Sequence, residues 1–250
     1  MAVIVRYAEI ALKGKNRSIF EKKLIHNIAE CLKKHNIAYS GIKRLYGRII
    51  VESSDRCGCL SKVFGISSFS LAEEVEQDIE KIKEIALKHY TNGSFRISTQ
   101  RLDKVLGTSL EINQDIGMHV AQNTGAKVEL KNPDLDIGIE LVNGRAYVFN
   151  TKTEGAKGMP SGVEGKVAVL LEDKDSVKAA KLMMKRGCAV VLVKVNEIDF
   201  SELYDYAYGF ELKLVDKIPE NIDAVVTSEK LDDLKERKYG VVVLRPLITS

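Results

Sequence analysis

Cysteine is scarce in this chain of 250 residues, and its four copies, Cys31, Cys57, Cys59 and Cys188, are too scattered for a disulfide framework. They read as reduced thiols. The Cys57-Gly58-Cys59 pair has no second pair to complete a zinc site, and His26, His35, His89 and His119 lie without metal-ligand spacing, so no metal is expected. No stretch approaches the roughly 18–20 uncharged apolar residues that span a bilayer. The opening "MAVIVRYAEIALKGK" carries charges inside its apolar run and has no small-residue cleavage site. These absences exclude a membrane as partner and set a cytoplasmic location as the expectation. No G-x-G-x-G stretch follows a strand-like run, which argues against a methyltransferase.

What is present is ordinary globular composition, 45% hydrophobic and 29% charged, in a chain long enough for two or three compact domains. The net charge of +3 is unevenly spread. Residues 1–54 hold eleven Lys and Arg against four Asp and Glu, whereas residues 55–150 hold eleven against fourteen and residues 151–250 sixteen against seventeen. A positive excess at one end points to a polyanion there, since Lys and Arg contacts to phosphate supply most sequence-independent nucleic-acid affinity.

The first block reads as a small α+β unit: the strand-like "AVIVRYAEIAL", a helix from about Arg17 to Lys34 with Phe20, Leu24, Ile28, Cys31 and Leu32 on one face, and the strand "GRIIVES". "SDRCGCLSKVFG" suggests a short helix, and "SSFSLAEEVE" a strand that carries the chain into a second unit. There a helix is expected over 78–90, then the strand "SFRISTQR", then a helix that opens on Thr108 and Glu111 in capping-box spacing and stops at Gly125. "DLDIGIELVNGRAYVF" alternates Leu135, Ile137, Ile139 and Leu141 and turns on Asn143-Gly144, a strong hairpin signal.

"TEGAKGMPSGVEG" is rich in glycine and reads as a surface linker over 153–165. Beyond it, "KVAVLL", a helix over 175–186, "AVVLVKV", "ELKLV", "DAVVTS", a helix "EKLDDLKER" and "GVVVL" form a β-α-β series with the continuous Val and Leu runs of buried parallel strands. Met183 and Met184 sit at core spacing in the first of those helices. The strand-to-helix turn Leu171-Glu172-Asp173-Lys174-Asp175-Ser176 stands where a phosphate-binding loop would, yet it has no glycine and presents three carboxylates.

"VRYAEIALKGKNRSIFEKKLIHNI" resembles the opening of the tRNA 4-thiouridine synthetases (tRNA sulfurtransferases), with Ala8 where that family shows glycine. "FRISTQRLDK", "TSLEINQDIG" and "VELKNPDLDIGIELVNGRAYVF" resemble their THUMP domain, and "GMPSGVEGKVAVLL", "LMMKRG", "AVVTSEKL" and "VLRPLI" resemble successive landmarks of their PP-loop ATP-pyrophosphatase domain. The resemblance implies a ferredoxin-like domain over 1–54, a THUMP-like RNA-binding domain over 55–152, the linker 153–165, and a shortened Rossmann-like PP-loop domain with a parallel sheet over 166–250. It implies tRNA as partner. On its matched stretches Lys13, Lys15 and Arg17 before the first helix, Arg96, Arg101 and Lys104 on and after a THUMP strand, and Lys131 beside "NPD" become the candidate RNA contacts. Aromatics are few in these loops, which suits a reading of phosphate and shape rather than base stacking.

The chain departs from that family at its chemistry. Leu171, Glu172 and Asp173 occupy the S-G-G positions of a functional S-G-G-x-D-S loop, and only Asp175 and Ser176 match, where they are expected to cap the following helix. The family passes sulfur from a late cysteine, and this sequence has none after Cys188, itself read as a packed small hydrophobe. The expectation is a tRNA-binding protein with a degenerate nucleotide loop, no catalytic residue and no cofactor. One alternative is an active ATP- and Mg-dependent tRNA uracil 4-sulfurtransferase that takes sulfur from a partner protein or sulfide. Another is a non-enzymatic scaffold. A homodimer is compatible with each.

Overall fold

The computed structural model describes residues 1–248. In chain order the elements are β1 (Ala2–Arg6), α1 (Arg17–Lys34), β2 (Gly41–Leu45), β3 (Arg48–Glu52), β4 (Ser68–Glu76), α2 (Ile79–His89), β5 (Phe95–Arg101), α3 (Ser109–Thr124), β6 (Leu135–Val142), β7 (Arg145–Phe149), β8 (Thr153–Glu154), β9 (Lys166–Leu171), α4 (Asp175–Lys185), β10 (Ala189–Lys194), β11 (Lys213–Val215), β12 (Ala224–Val226) and β13 (Val242–Leu244). They pack as two compact units. The first unit holds Met1–Arg6, Ile37–Gly58 and Ser68–Glu154, and the second holds Tyr7–Asn36, Cys59–Ser67 and the chain from Gly155 onward.

The first unit is built on one sheet in the order β2-β3-β1-β4-β7-β6-β5, with β8 paired to β4. All its pairings are antiparallel except β5 with β6. The strand expected to carry the chain into a second unit, β4, lies wholly within the first and pairs twice there: Ser68 to Ala72 with β1, and Glu73 to Glu76 with β7. α2 and α3 cover one side through Ile82, Ala86, Ile116 and Val120, which pack with Phe95, Ile137, Ile139 and Val148 of the strands. Asp78 starts α2 by accepting the Glu80 and Lys81 N–H groups at 2.9 and 3.3 Å. α3 has the expected reciprocal box: the Glu111 N–H donates to Thr108 Oγ1 at 3.2 Å and the Thr108 N–H to Glu111 Oε2 at 2.6 Å. The β6–β7 hairpin turns on Asn143 and Gly144, both at positive φ (53° and 74°), as a two-residue turn matched to strand twist requires.

The second unit carries a parallel sheet in the order β11-β10-β9-β12-β13. The chain leaves β9 by α4, builds β10 and β11 to one side, and returns to build β12 and β13 on the other. The strand order therefore reverses at β9, and the crevice outside the carboxyl ends of β9 and β12 is the switch point where such sheets bind ligands. α1 belongs to this unit and buries Phe20, Leu24, Ile28, Cys31 and Leu32, the face read from its spacing.

Two expectations are corrected. Residues 155–163, read as part of a surface linker, are pinned within the second unit: Met159 N–H donates to the Lys185 carbonyl and Val163 N–H to that of Gly187, each at 2.9 Å, and Ser161 is buried. Glycine here serves close approach, since a Cβ on Gly158 would lie 2.3 Å from the Lys185 carbonyl oxygen. "EKLDDLKER" is not a helix but a short turn at Leu231–Asp233 followed by irregular chain. Glu229 accepts from Arg237 Nε at 2.5 Å, whereas eight residues of α-helix would separate those positions by about 12 Å along the axis. Leu231 and Leu234 stay exposed, so helix formation would bury little. Among the described residues no helix is long and apolar enough to cross a membrane.

Candidate nucleic-acid interface and nucleotide pocket

The chain enters α1 through two short 3-10 turns, Glu9–Leu12 and Gly14–Asn16, and Asn16 makes no side-chain capping bond to the first helical amides. Lys13, Lys15 and Arg17 are brought together there. Lys13 lies 4.5 Å above the Phe20 ring and pairs with Glu164 at 2.7 Å. Arg17 donates to Glu21 and to the Tyr7 hydroxyl, each at 2.8 Å; burial, with the Glu21 carboxylate, pushes the Tyr7 phenol up to about 12. Lys15 is exposed.

In the first unit Arg96 binds Asp136 at 2.6 and 2.9 Å and also reaches the Leu130 carbonyl at 3.2 Å, which sets it beside Lys131. Arg101 binds the Leu106 and Gly107 carbonyls and braces the loop that holds Lys104. Arg17, Arg96 and Arg101 thus hold local structure, while Lys15, Lys104 and Lys131 are exposed cations on the matched segments. A cleft of about 470 Å³ in this unit is lined by Arg6, Gln100, Asn113, Asp136, Glu140 and Lys152 among others. Sequence reasoning missed it, although Arg6 inside "VIVRY" and Glu140 inside "IGIELV" stand out as charges in otherwise apolar strands.

The switch-point crevice of the second unit measures about 640 Å³ and is lined by Glu172, Asp173, Asp175, Ser228, Glu229, Lys230 and Arg237 among others. Asp173, not Asp175, caps α4: its Oδ1 accepts the Ser176 N–H at 3.0 Å and its Oδ2 accepts the Ser228 hydroxyl at 2.9 Å. Ser176, fully buried, turns its Oγ back to accept the Glu172 and Asp173 N–H groups at 3.0 and 3.2 Å. The expected capping by Asp175 and Ser176 is therefore corrected. Asp175 instead pairs with Lys230 at 2.6 Å, which holds its carboxyl below the usual range. Lys174 occupies the N-cap position in helical conformation without a side-chain bond. Leu171 ends β9 in the core.

Glu172 receives a forked pair from Arg237 at 2.7 and 2.9 Å, and Glu229 receives Arg237 and Arg245 at 2.5 and 2.7 Å. Burial alone would raise the Glu229 carboxyl, but the two guanidiniums outweigh it and hold it low. Arg237 was not singled out from sequence, because the expected helix would have carried it away. Cys188, immediately before β10, is buried, and burial raises its thiol above the ordinary range, opposite to an activated nucleophile. Cys188→Ser should leave tRNA affinity unchanged and lower stability by about 1–2 kcal/mol, read by tRNA titration and chemical denaturation. The structure also groups Cys31, His35 and Cys59, whose ligating atoms all lie within 4.8 Å of one another. The sequence reading missed this grouping, because Cys59 arrives from a distant turn.

Residues 2–70 match the family model of the ThiI ferredoxin-like domain and residues 73–150 that of the THUMP domain. The fold and these matches define a THUMP protein that joins a ferredoxin-like entry to a parallel α/β sheet. The chain belongs to the tRNA sulfurtransferase family. It is 34% identical to a probable tRNA sulfurtransferase of Thermococcus kodakarensis over 97% of this chain and 70% of that protein. It is 33% identical to the one of Methanocaldococcus jannaschii over the same shares of the two chains. Against the Natranaerobius thermophilus relative, 36% identical, the match spans 80% of this chain and 52% of the relative. The crystal structure of PH1313 from Pyrococcus horikoshii Ot3 superposes with TM-score 0.90 at 33% identity, covering 100% of this chain and 95% of that one. A crystal structure of a 4-thiouridine synthetase–RNA complex with bound ATP shares the fold, with TM-score 0.78 at 23% identity over 98% of this chain and 80% of that one.

Proposed function

We propose that this chain is a tRNA-binding member of the sulfurtransferase family whose switch-point pocket no longer takes ATP. The Asp173 carboxylate carries the second half of this reading. It stands at the α4 N-terminus where a nucleotide phosphate would have to sit, and the loop amides of Glu172 and Asp173 already donate to Ser176. A bound phosphate would have to displace an internal anion and break those bonds. The RNA half rests on family membership, on the THUMP match, and on the concentration of Lys and Arg in residues 1–54. Lys15, Lys104 and Lys131 are assigned as phosphate contacts, with Lys13, Arg17, Arg96 and Arg101 shaping the surfaces that present them. A cytoplasmic protein follows from this partner.

The test is a titration of labelled bulk tRNA at several salt concentrations, with and without ATP and magnesium. Affinity should fall steeply with salt and ignore ATP. Lys15→Ala with Lys131→Ala should flatten the log–log slope by about one to two units, roughly one counterion for each phosphate the variant no longer neutralises. A salt-independent affinity sinks the RNA assignment. ATP-dependent incorporation of sulfur into tRNA from sulfide or a donor protein would replace the reading with an active sulfurtransferase.

A further inference from the structure

We propose that Cys31, His35 and Cys59 form a zinc site in the second unit, distinct from both the RNA contacts and the nucleotide pocket. Cys31 lies in the last turn of α1 and His35 is its C-cap residue, so their four-residue spacing puts them on one face. Cys59 comes from the short turn Gly58–Lys62. The two sulfurs and a ring nitrogen all lie within 4.8 Å of one another. Tetrahedral zinc, with bonds near 2.3 Å to sulfur and 2.0–2.1 Å to nitrogen, spaces such ligands about 3.5–3.8 Å apart. The site therefore closes by a contraction of about 1 Å, which the exposed His35 and the half-buried Cys59 can supply by side-chain rotation.

The surroundings suit thiolate ligands. The Tyr208 hydroxyl, nearly fully buried, lies 3.2 Å from His35 Nε2. Its hydroxyl is placed to hydrogen-bond a ligand of the site, as outer groups of zinc sites do. Two thiolates and an imidazole favour zinc over magnesium or calcium, which prefer oxygen. Binding releases the two thiol protons to solvent and leaves the fourth position to water on the exposed His35 side. No oxidant or reductant is involved. The metal would tie the end of α1 to the Cys59–Ser67 segment.

The test uses the full chain, reduced and stripped of metal, with cobalt(II) as the probe and zinc as competitor. One equivalent of cobalt should produce a thiolate-to-metal charge-transfer band that zinc abolishes. Replacing Cys31 would open the core, so Cys59→Ser and His35→Asn are the informative variants. Cys59→Ser should lose about half the band, and both variants should weaken binding by at least about tenfold. The proposal is overturned if the reduced wild type gives no band, or if Cys59→Ser leaves the band intact. It is also overturned if thiol titration finds Cys31 and Cys59 joined as a disulfide that re-forms faster than metal binds, which would make them a redox pair.

Discussion

Glu140→Ala should destabilise the first unit by about 3–5 kcal/mol, because it leaves two guanidiniums buried without their counter-charge. Glu140 is 3% exposed and accepts from Arg6 through one oxygen and Arg48 through the other, and both arginines are themselves 7% exposed. Their remaining partners cannot replace a carboxylate. Arg6 donates to Ser70 Oγ at 3.1 Å and lies 4.6 Å over the Phe149 ring, and Arg48 donates to Gln100 Oε1 at 2.7 Å and to the Gly47 carbonyl at 2.7 Å. Burial lowers the Arg6 guanidinium against the pull of Glu140, in keeping with the low exposure of all three side chains. Denaturant unfolding followed by circular dichroism measures the loss. Glu140→Gln should fall between wild type and alanine, and replacing all three residues by apolar side chains of similar volume should recover most of the stability. A loss under about 1 kcal/mol for Glu140→Ala would mean that water reaches the arginines and that the triad is not a dry anchor.

That triad also marks the limit of what the sequence discloses. Amphipathic spacing identified α1, α2 and α3 with their buried faces, since each helix hides one stripe and the stripe is written at every third or fourth residue. The capping box at Thr108 and the Asn143-Gly144 turn were legible because their chemistry is local. Partners brought together by the sheet were not. Arg6, Arg48 and Glu140 come from β1, β3 and β6, and only pairing through β4 and β7 sets those strands in one sheet. The acidic turn at Glu172 and Asp173 was legible as a break with a phosphate loop. The capping role was misassigned from sequence, because whether Asp173 or Asp175 faces the helix amides depends on how Ser228 meets the loop from β12. The Glu229–Arg237 bond likewise holds a segment whose composition alone favours a helix.

Calorimetry of the natural protein should show no saturable ATP binding at millimolar nucleotide, whereas Glu172→Gly with Asp173→Gly should create a measurable site. A carboxylate about 4 Å from a phosphate repels it by roughly 1–4 kcal/mol at surface-like to intermediate dielectric, so removing Asp173 alone is expected to raise affinity by about tenfold or more. Glycine at both positions also opens the backbone approach, and loss of Glu172 releases Arg237 from its forked pair to meet the incoming phosphates. Leu171 is best left in place: it closes β9 at 1% exposure, and serine there would open a core cavity at about 2–4 kcal/mol. Losing the Asp173 cap lowers stability by about 1 kcal/mol, small enough to keep the double variant folded. Asp173→Asn separates the two effects, because it removes the charge while an amide oxygen can still accept the Ser176 N–H. Magnesium must be varied, since a divalent ion held between Asp173 or Asp175 and the phosphates would turn repulsion into attraction. With magnesium present the natural protein should still bind more weakly than the double variant, because the Glu172 and Asp173 side chains still obstruct the backbone approach that glycine opens. Micromolar ATP binding by the natural chain, or tighter binding than the double variant, would restore the pocket as a nucleotide site and favour the active sulfurtransferase.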